Sequence, residues 1–167
     1  MSGDHLATYL TDHMAGSTAA LELLERLKAE YEGDPVAATA TRLIAEIGDE
    51  RKVLDGLAER IGASVTLPRK AASWITEKAA QLKLLYDDPK GGPLRHLESF
   101  EALSLGIEGK RLLWRALATA SARRRELVGP DYDGLVAQAE DQRRRVEAHR
   151  LAAAAEALTG RPESPSA

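Results

Sequence analysis

The chain has 167 residues, with 23 Lys and Arg against 26 Asp and Glu, and it contains no cysteine. Disulfides, iron–sulfur clusters, thiolate zinc sites and thiol nucleophiles are thereby excluded, and the near-balanced charge argues against a dedicated binder of nucleic acid or of an anionic membrane. Aromatic residues make up only 4% while Ala and Leu dominate, a composition that favours helices over strands.

The seven prolines mark where long helices begin and end, because one in a helix interior costs about 3 kcal/mol. A first helix is expected from about Asp4 to Glu32, closed by Gly33 as a left-handed cap. Asp34 followed by Pro35 pairs a capping carboxylate with proline at the first helical position, and the second helix runs from there to about Ile61, where Gly62 ends it. Residues 63–92 form a long connection that carries a shorter helix, about Pro68 to Tyr86, with Trp74, Ile75, Leu82 and Leu85 on one side to pack on the outside of a bundle. Pro93 opens a third long helix reaching about Leu127. Gly129, Pro130 and Asp131 make a tight break, and a last helix runs from about Tyr132 to Leu158. The expected domain is residues 1–159. The polar, proline-bearing tail 160–167 is expected to be disordered.

Short loops join the first two helices and the last two, so each pair forms an antiparallel hairpin, and one long crossover joins the hairpins. In this element order, over about residues 4–158, the chain resembles the ferritin-like superfamily. That resemblance implies an all-α four-helix bundle. It also implies a di-metal site built from a Glu on each of two helices and a Glu-x-x-His on each of the other two. Here the chain departs from the pattern: no Glu-x-x-His occurs, Val146 stands where the last helix would need its Glu, and His13 stands where a Glu is expected on the first. The run Tyr9-Leu-Thr-Asp-His-Met-Ala-Gly16, with Gly106-Ile-Glu-Gly-Lys110 and Leu113-Trp-Arg115, is also similar to a group of bacterial conserved hypothetical proteins that implies no activity.

Unrolled at about 100° per residue, each long helix shows an apolar stripe with polar intruders. Leu6, Leu10, Ala20, Leu24, Leu27 and Tyr31 share a face with His13 and Ser17. On the second helix, Val36, Leu43, Ile47, Leu54, Leu57 and Ile61 share one with Glu50, and Glu46 lies at the margin. On the third, Leu94, Leu97, Leu105 and Leu112 flank Glu101 and Glu108, beside a second strip of Phe100, Leu103, Ile107 and Trp114. The last helix lays Leu135, Ala139, Val146 and Ala153 with Gln142 and His149. Counting from the turns sets position 17 opposite about 50, 50 level with 108, and 108 opposite about 146. Glu50 and Glu108 then share a level, with His13 and His149 about one turn (roughly 5 Å) to either side.

Two carboxylates and two imidazoles suit a borderline or hard divalent metal such as iron, manganese or zinc. The candidate ligands are His13, Glu50, Glu108 and His149, with Glu101 as an addition. The competing account is a structural polar network: His13 bonded to Glu50 or Ser17, His149 to Glu101 or Glu108, and Arg111, Arg115 or Arg145 neutralising the glutamates.

Two arginine clusters stand out. Arg123 to Arg125 are expected in the last helical turns, where cations are favoured. Arg143 to Arg145 alternate with Glu140, Asp141 and Glu147 at salt-bridge spacing. Neither is interleaved with aromatics for base stacking, so no nucleic-acid partner is expected. Gly16, Gly48, Gly56, Gly106 and Gly109 fall inside helices, and close packing is the ordinary account of them. Nucleotide-cradling loops, nucleophile elbows and HExxH motifs are absent. No apolar run approaches the ~18 residues of a membrane span, and Met1 to His13 lacks the regions of a signal peptide. The expectation is a soluble, cytoplasmic, non-catalytic bundle with buried His/Glu layers that acts by protein association, including association with itself. A metal-dependent oxidase or metal-handling protein is the alternative.

Overall fold

Proline and glycine act where the spacing places them. The computed structural model describes residues 5–63 and 92–159; among these are four α-helices, one 3₁₀ turn and no strand. They are α1 (His5–Glu30), α2 (Pro35–Arg60), α3 (Pro93–Ser121) and α4 (Tyr132–Thr159). Gly33 and Gly62 both have positive φ (85° and 66°), so each helix before them ends where a residue without Cβ takes the left-handed conformation at no steric cost. Asp34 accepts a hydrogen bond from the Val36 amide at 2.8 Å, and Pro35 opens α2. The proposed crossover helix and the C-terminal tail lie outside the described residues.

α3 stops sooner than expected. The amides of Arg123 and Arg124 both donate to the Ala120 carbonyl, and Arg124 is extended, so the chain leaves the helix and makes a 3₁₀ turn at Arg125–Leu127. Burial favours this early stop. Leu127 is fully buried, its carbonyl accepts from the Tyr132 hydroxyl at 2.6 Å, and Arg60 donates to the Val128 carbonyl at 2.8 Å. The arginines of that cluster consequently sit just beyond the helix and not in its last turns. Asp131 caps α4 by accepting from the Gly134 amide at 3.0 Å, and a Cβ on Gly134 would collide with the Asp131 carboxylate.

Side-chain pairs set the helix directions. α1 meets α2 at Ser17 and Arg51 (2.7 Å). It meets α3 at Glu30 and Arg95 (2.8 Å), and the Tyr31 ring lies 5.1 Å from that of His96. α2 meets α4 at Thr39 and His149 (2.9 Å) and at Glu46 and Arg145 (2.6 Å). α3 meets α4 at Glu108 and Arg143 (2.7 Å) and at Glu101 and Arg150 (3.4 Å). Between α2 and α4 and between α3 and α4 the numbers rise on one helix as they fall on the other. α1 and α2 form a short-looped hairpin, and α1 approaches α3 at Glu30 and Arg95 and, toward its other end, at His13 and Lys110, which line one cavity. Adjacent helices are therefore antiparallel. α2 and α3 lie across the diagonal, with no Cα atoms within 8 Å of each other, and run parallel; long side chains bridge them. The chain therefore leaves α2 at one end of the bundle and enters α3 at the other, about 40 Å away for helices of this length.

Apolar side chains fill two clusters. One contains Leu24, Leu27, Leu43, Phe100, Leu103 and Val146. The other contains Leu10, Leu54, Leu57, Leu113, Trp114 and Leu127. Each buried leucine contributes about 1.5–3 kcal/mol. Between the clusters, at the level of Glu50, Lys110 and Gln142, the core turns polar.

Candidate functional site

Glu50 comes from the inward stripe of α2, Lys110 from α3 and Gln142 from α4. Gln142 is fully buried and Glu50 is 3% exposed. The Gln142 amide nitrogen donates to Glu50 at 2.9 Å and to Glu46 at 3.1 Å, while its carbonyl oxygen accepts from the Lys110 ammonium. The same ammonium contacts the second carboxylate oxygen of Glu50. Arg145 closes the edge of the layer, pairing with Glu46 at 2.6 Å and with Asp141 at 2.9 Å. Burial pushes the Glu50 carboxyl above its ordinary range and the Lys110 ammonium below its own; in each case the partner's charge opposes the shift. The layer is close to charge-balanced and every polar group of Gln142 is engaged, which is the condition under which a buried polar network is tolerated.

Beside this layer, between α1, α2 and α3, lies a cavity of about 90 Å³ lined by Glu50, Lys110, His13, Arg51 and Trp114 among others. Burial holds the His13 imidazole below its ordinary range. Its ring packs edge-on against Tyr9 at 4.7 Å and makes no hydrogen bond to any described residue. The Trp114 indole N–H is buried and has no hydrogen-bond partner among the described residues. Arg51 donates to the Met14 carbonyl at 2.8 Å and to the hydroxyls of Ser17 at 2.7 Å and Thr18 at 2.8 Å.

The candidate metal ligands are distributed differently. Glu50 joins Lys110 and Gln142. Glu108 is held by Arg111 through two hydrogen bonds (2.9 and 2.8 Å) and by Arg143, and these guanidinium groups keep its carboxyl below the ordinary range. Glu101 is exposed and faces Arg150. His149 bonds Thr39, stacks on Phe100 at 5.9 Å and is pushed down by burial. Among the described residues no three His, Asp or Glu side chains gather as a metal would require. Of the five, His13 and Glu50 line the same cavity.

The hydrogen bonds foreseen for the histidines also fall elsewhere. Ser17 bonds the Met14 carbonyl and Arg51, and His149 reaches α2 instead of α3. On α3 it is the strip of Phe100, Leu103, Ile107 and Trp114 that is buried, whereas Leu94, Leu105 and Leu112 face out. Two stripes compete on that helix, and the buried one also carries Lys110. Lysine reads as a surface residue, yet its spacing from Ile107 and Trp114 puts it on their face, and its apolar stem lets it cross the core boundary. That spacing was the available signal for the partner of Glu50.

Comparison with protein-family models, with curated proteins and with solved structures gives no match. No helix among the described residues is long and apolar enough to cross a membrane. The arginines of the 143–145 cluster are paired within the chain, Arg143 with Glu108, Arg144 with Asp141 and Arg145 with Glu46.

Proposed function

We propose that this is a non-catalytic bundle of ferritin-like topology that works by association, pairing with a second copy of itself through the outer face of α3. The observation that carries the reading is the stripe opposite the buried face of α3: Leu94, Leu105 and Leu112 are 54%, 74% and 50% exposed. Surface leucines at whole-turn spacing form a strip that water solvates poorly and a second helix can cover. The charges around it are self-complementary. Glu101 lies toward the start of the stripe, and exposed Arg115 and Arg123 lie toward its end. An antiparallel two-fold pairing sets Leu105 of one copy against Leu112 of the other, and Glu101 beside Arg115. Gly109 falls near the axis, with open space where its Cβ would be.

Topology and core support the rest of the reading. Two antiparallel hairpins with parallel middle helices are the order that a ferritin-like crossover produces. A buried layer in which Glu50 is ion-paired with Lys110 and every polar group of Gln142 is engaged suits a register-setting role between the two apolar clusters. A single helix pair lies at the small end of specific interfaces, below about 1,200 Å², so the dimer forms and dissociates with concentration. Sedimentation velocity across a concentration series tests it. The expected result is a reversible dimer whose dissociation constant rises at least about tenfold in Leu105→Lys. A monomer at every concentration, or a dimer indifferent to that substitution, contradicts the reading.

A further inference from the structure

The cavity beside the polar layer has features that the register role leaves unused. Its charges are settled within the chain: Lys110 pairs with Glu50, and Arg51 with Asp55 at 3.4 Å. A charged guest would enter without a counter-ion, at a heavy desolvation cost. What the lining leaves open is uncharged. Trp114 is fully buried, and its indole N–H, which can only donate, has no partner among the described residues. The His13 ring makes no hydrogen bond to any described residue either, and burial favours its neutral form, with one N–H and one bare nitrogen. Ile47, Leu54, Ile107 and Leu113 supply an aliphatic wall. Water can satisfy the polar groups, but against that wall it finds no hydrogen-bond partners. Gly16 on α1 and Gly106 on α3 are exposed and also line the cavity, so they flank its opening. A Cβ at either position would meet nothing within 4 Å, so close packing within the chain does not account for these two glycines.

We infer that this cavity binds a short-chain aliphatic alcohol. The hydroxyl oxygen accepts from the Trp114 indole N–H, and the hydroxyl proton goes to an acceptor of the lining, the bare His13 nitrogen or the Glu50 carboxylate. The alkyl chain covers the aliphatic wall, and no net charge is buried. Size sets the limit. A water needs about 10–15 Å³ of such space, so about 90 Å³ admits a molecule of roughly six non-hydrogen atoms. Propanol and butanol fit this description, and octanol exceeds it. Binding is expected in the millimolar range, because so few atoms make contact.

The experiment is a titration of the full ¹⁵N-labelled chain with 1-butanol, following the two tryptophan indole N–H resonances and the His13 ring by NMR. A saturable shift of the Trp114 indole is expected. In Ala20→Leu, whose larger side chain takes up part of the cavity, binding should weaken at least about tenfold. Gly106→Leu obstructs the opening and serves if Ala20→Leu does not fold. Diethyl ether, an isomer of butanol with no hydroxyl proton, should bind about fivefold more weakly, the loss expected for one hydrogen bond. A linear, non-saturating response leaves the cavity to water alone and overturns the inference, as does binding that is unchanged in the filled variant. Equal binding of diethyl ether overturns the assignment to a hydroxyl, and equal binding of butyrate overturns the assignment to a neutral guest.

Discussion

Lys110 and Glu50 show how much a single buried pair decides. Removing one partner leaves the other charged and desolvated, so Lys110→Met is expected to cost about 3–5 kcal/mol, measured by urea unfolding. The double variant Glu50→Leu/Lys110→Met is expected to recover most of that loss, because no unpaired charge remains. Equal losses in the single and double variants would show that the pair is not coupled. His13 gives a prediction in pH. Burial lowers its folded-state pKa below the ordinary 6.5, so the unfolded chain takes up a proton first as pH falls. Stability is therefore lost as pH drops below about 6.5, and His13→Phe should flatten the decline in melting temperature between about pH 7 and pH 5. His149 is shifted the same way and Glu50 the opposite way, so the difference between variant and parent isolates His13. A parallel decline in both would contradict the assignment.

At the scale of elements, punctuation was the most legible part of the sequence. Asp34, Pro35, Gly33 and Gly62 act through local backbone chemistry, which needs no knowledge of neighbours. The end of α3 was less legible, because it depends on Leu127 docking under Tyr132 and on Arg60 reaching Val128, contacts made across the bundle. The burial of α2 follows its stripe closely, Glu50 included, since that helix has one dominant apolar face. α3 has two, and only the partner helices decide between them. The helical glycines answer to propensity: Gly16→Ala and Gly106→Ala have room for the methyl group and should each stabilise by about 0.5–1 kcal/mol in thermal melts. Gly134→Ala should do the reverse by disturbing the Asp131 cap, and a gain there would contradict the capping role.

Over the whole molecule, element order and loop lengths carried the architecture: two hairpins and a long crossover imply parallel middle helices, and α2 and α3 are parallel across the diagonal. Register came out well in the first hairpin, where Ser17 meets Arg51, but slipped by most of a turn in the second, where Glu108 meets Arg143 and not Val146. Glu50 pairs with Lys110, only two residues from Glu108. Two residues are about 200° of turn, so Glu108 points away from the Glu50 layer to Arg111 and Arg143, and the candidate metal set does not assemble among the described residues. A short loop fixes which helices are neighbours, but side-chain interlock fixes their level, and interlock is not written in either helix alone.

Association through α3 is the central claim, and the absence of cysteine allows a direct test with Gly109→Cys. In the antiparallel pairing this position lies close to the two-fold axis, within reach of the ~4.4–6.8 Å Cα separation a disulfide requires. Under mild oxidation at a concentration where the parent chain dimerises, Gly109→Cys should cross-link rapidly to a covalent dimer, while Ala155→Cys on the exposed side of α4 should not. Cross-linking of the two variants at the same slow rate would contradict the account.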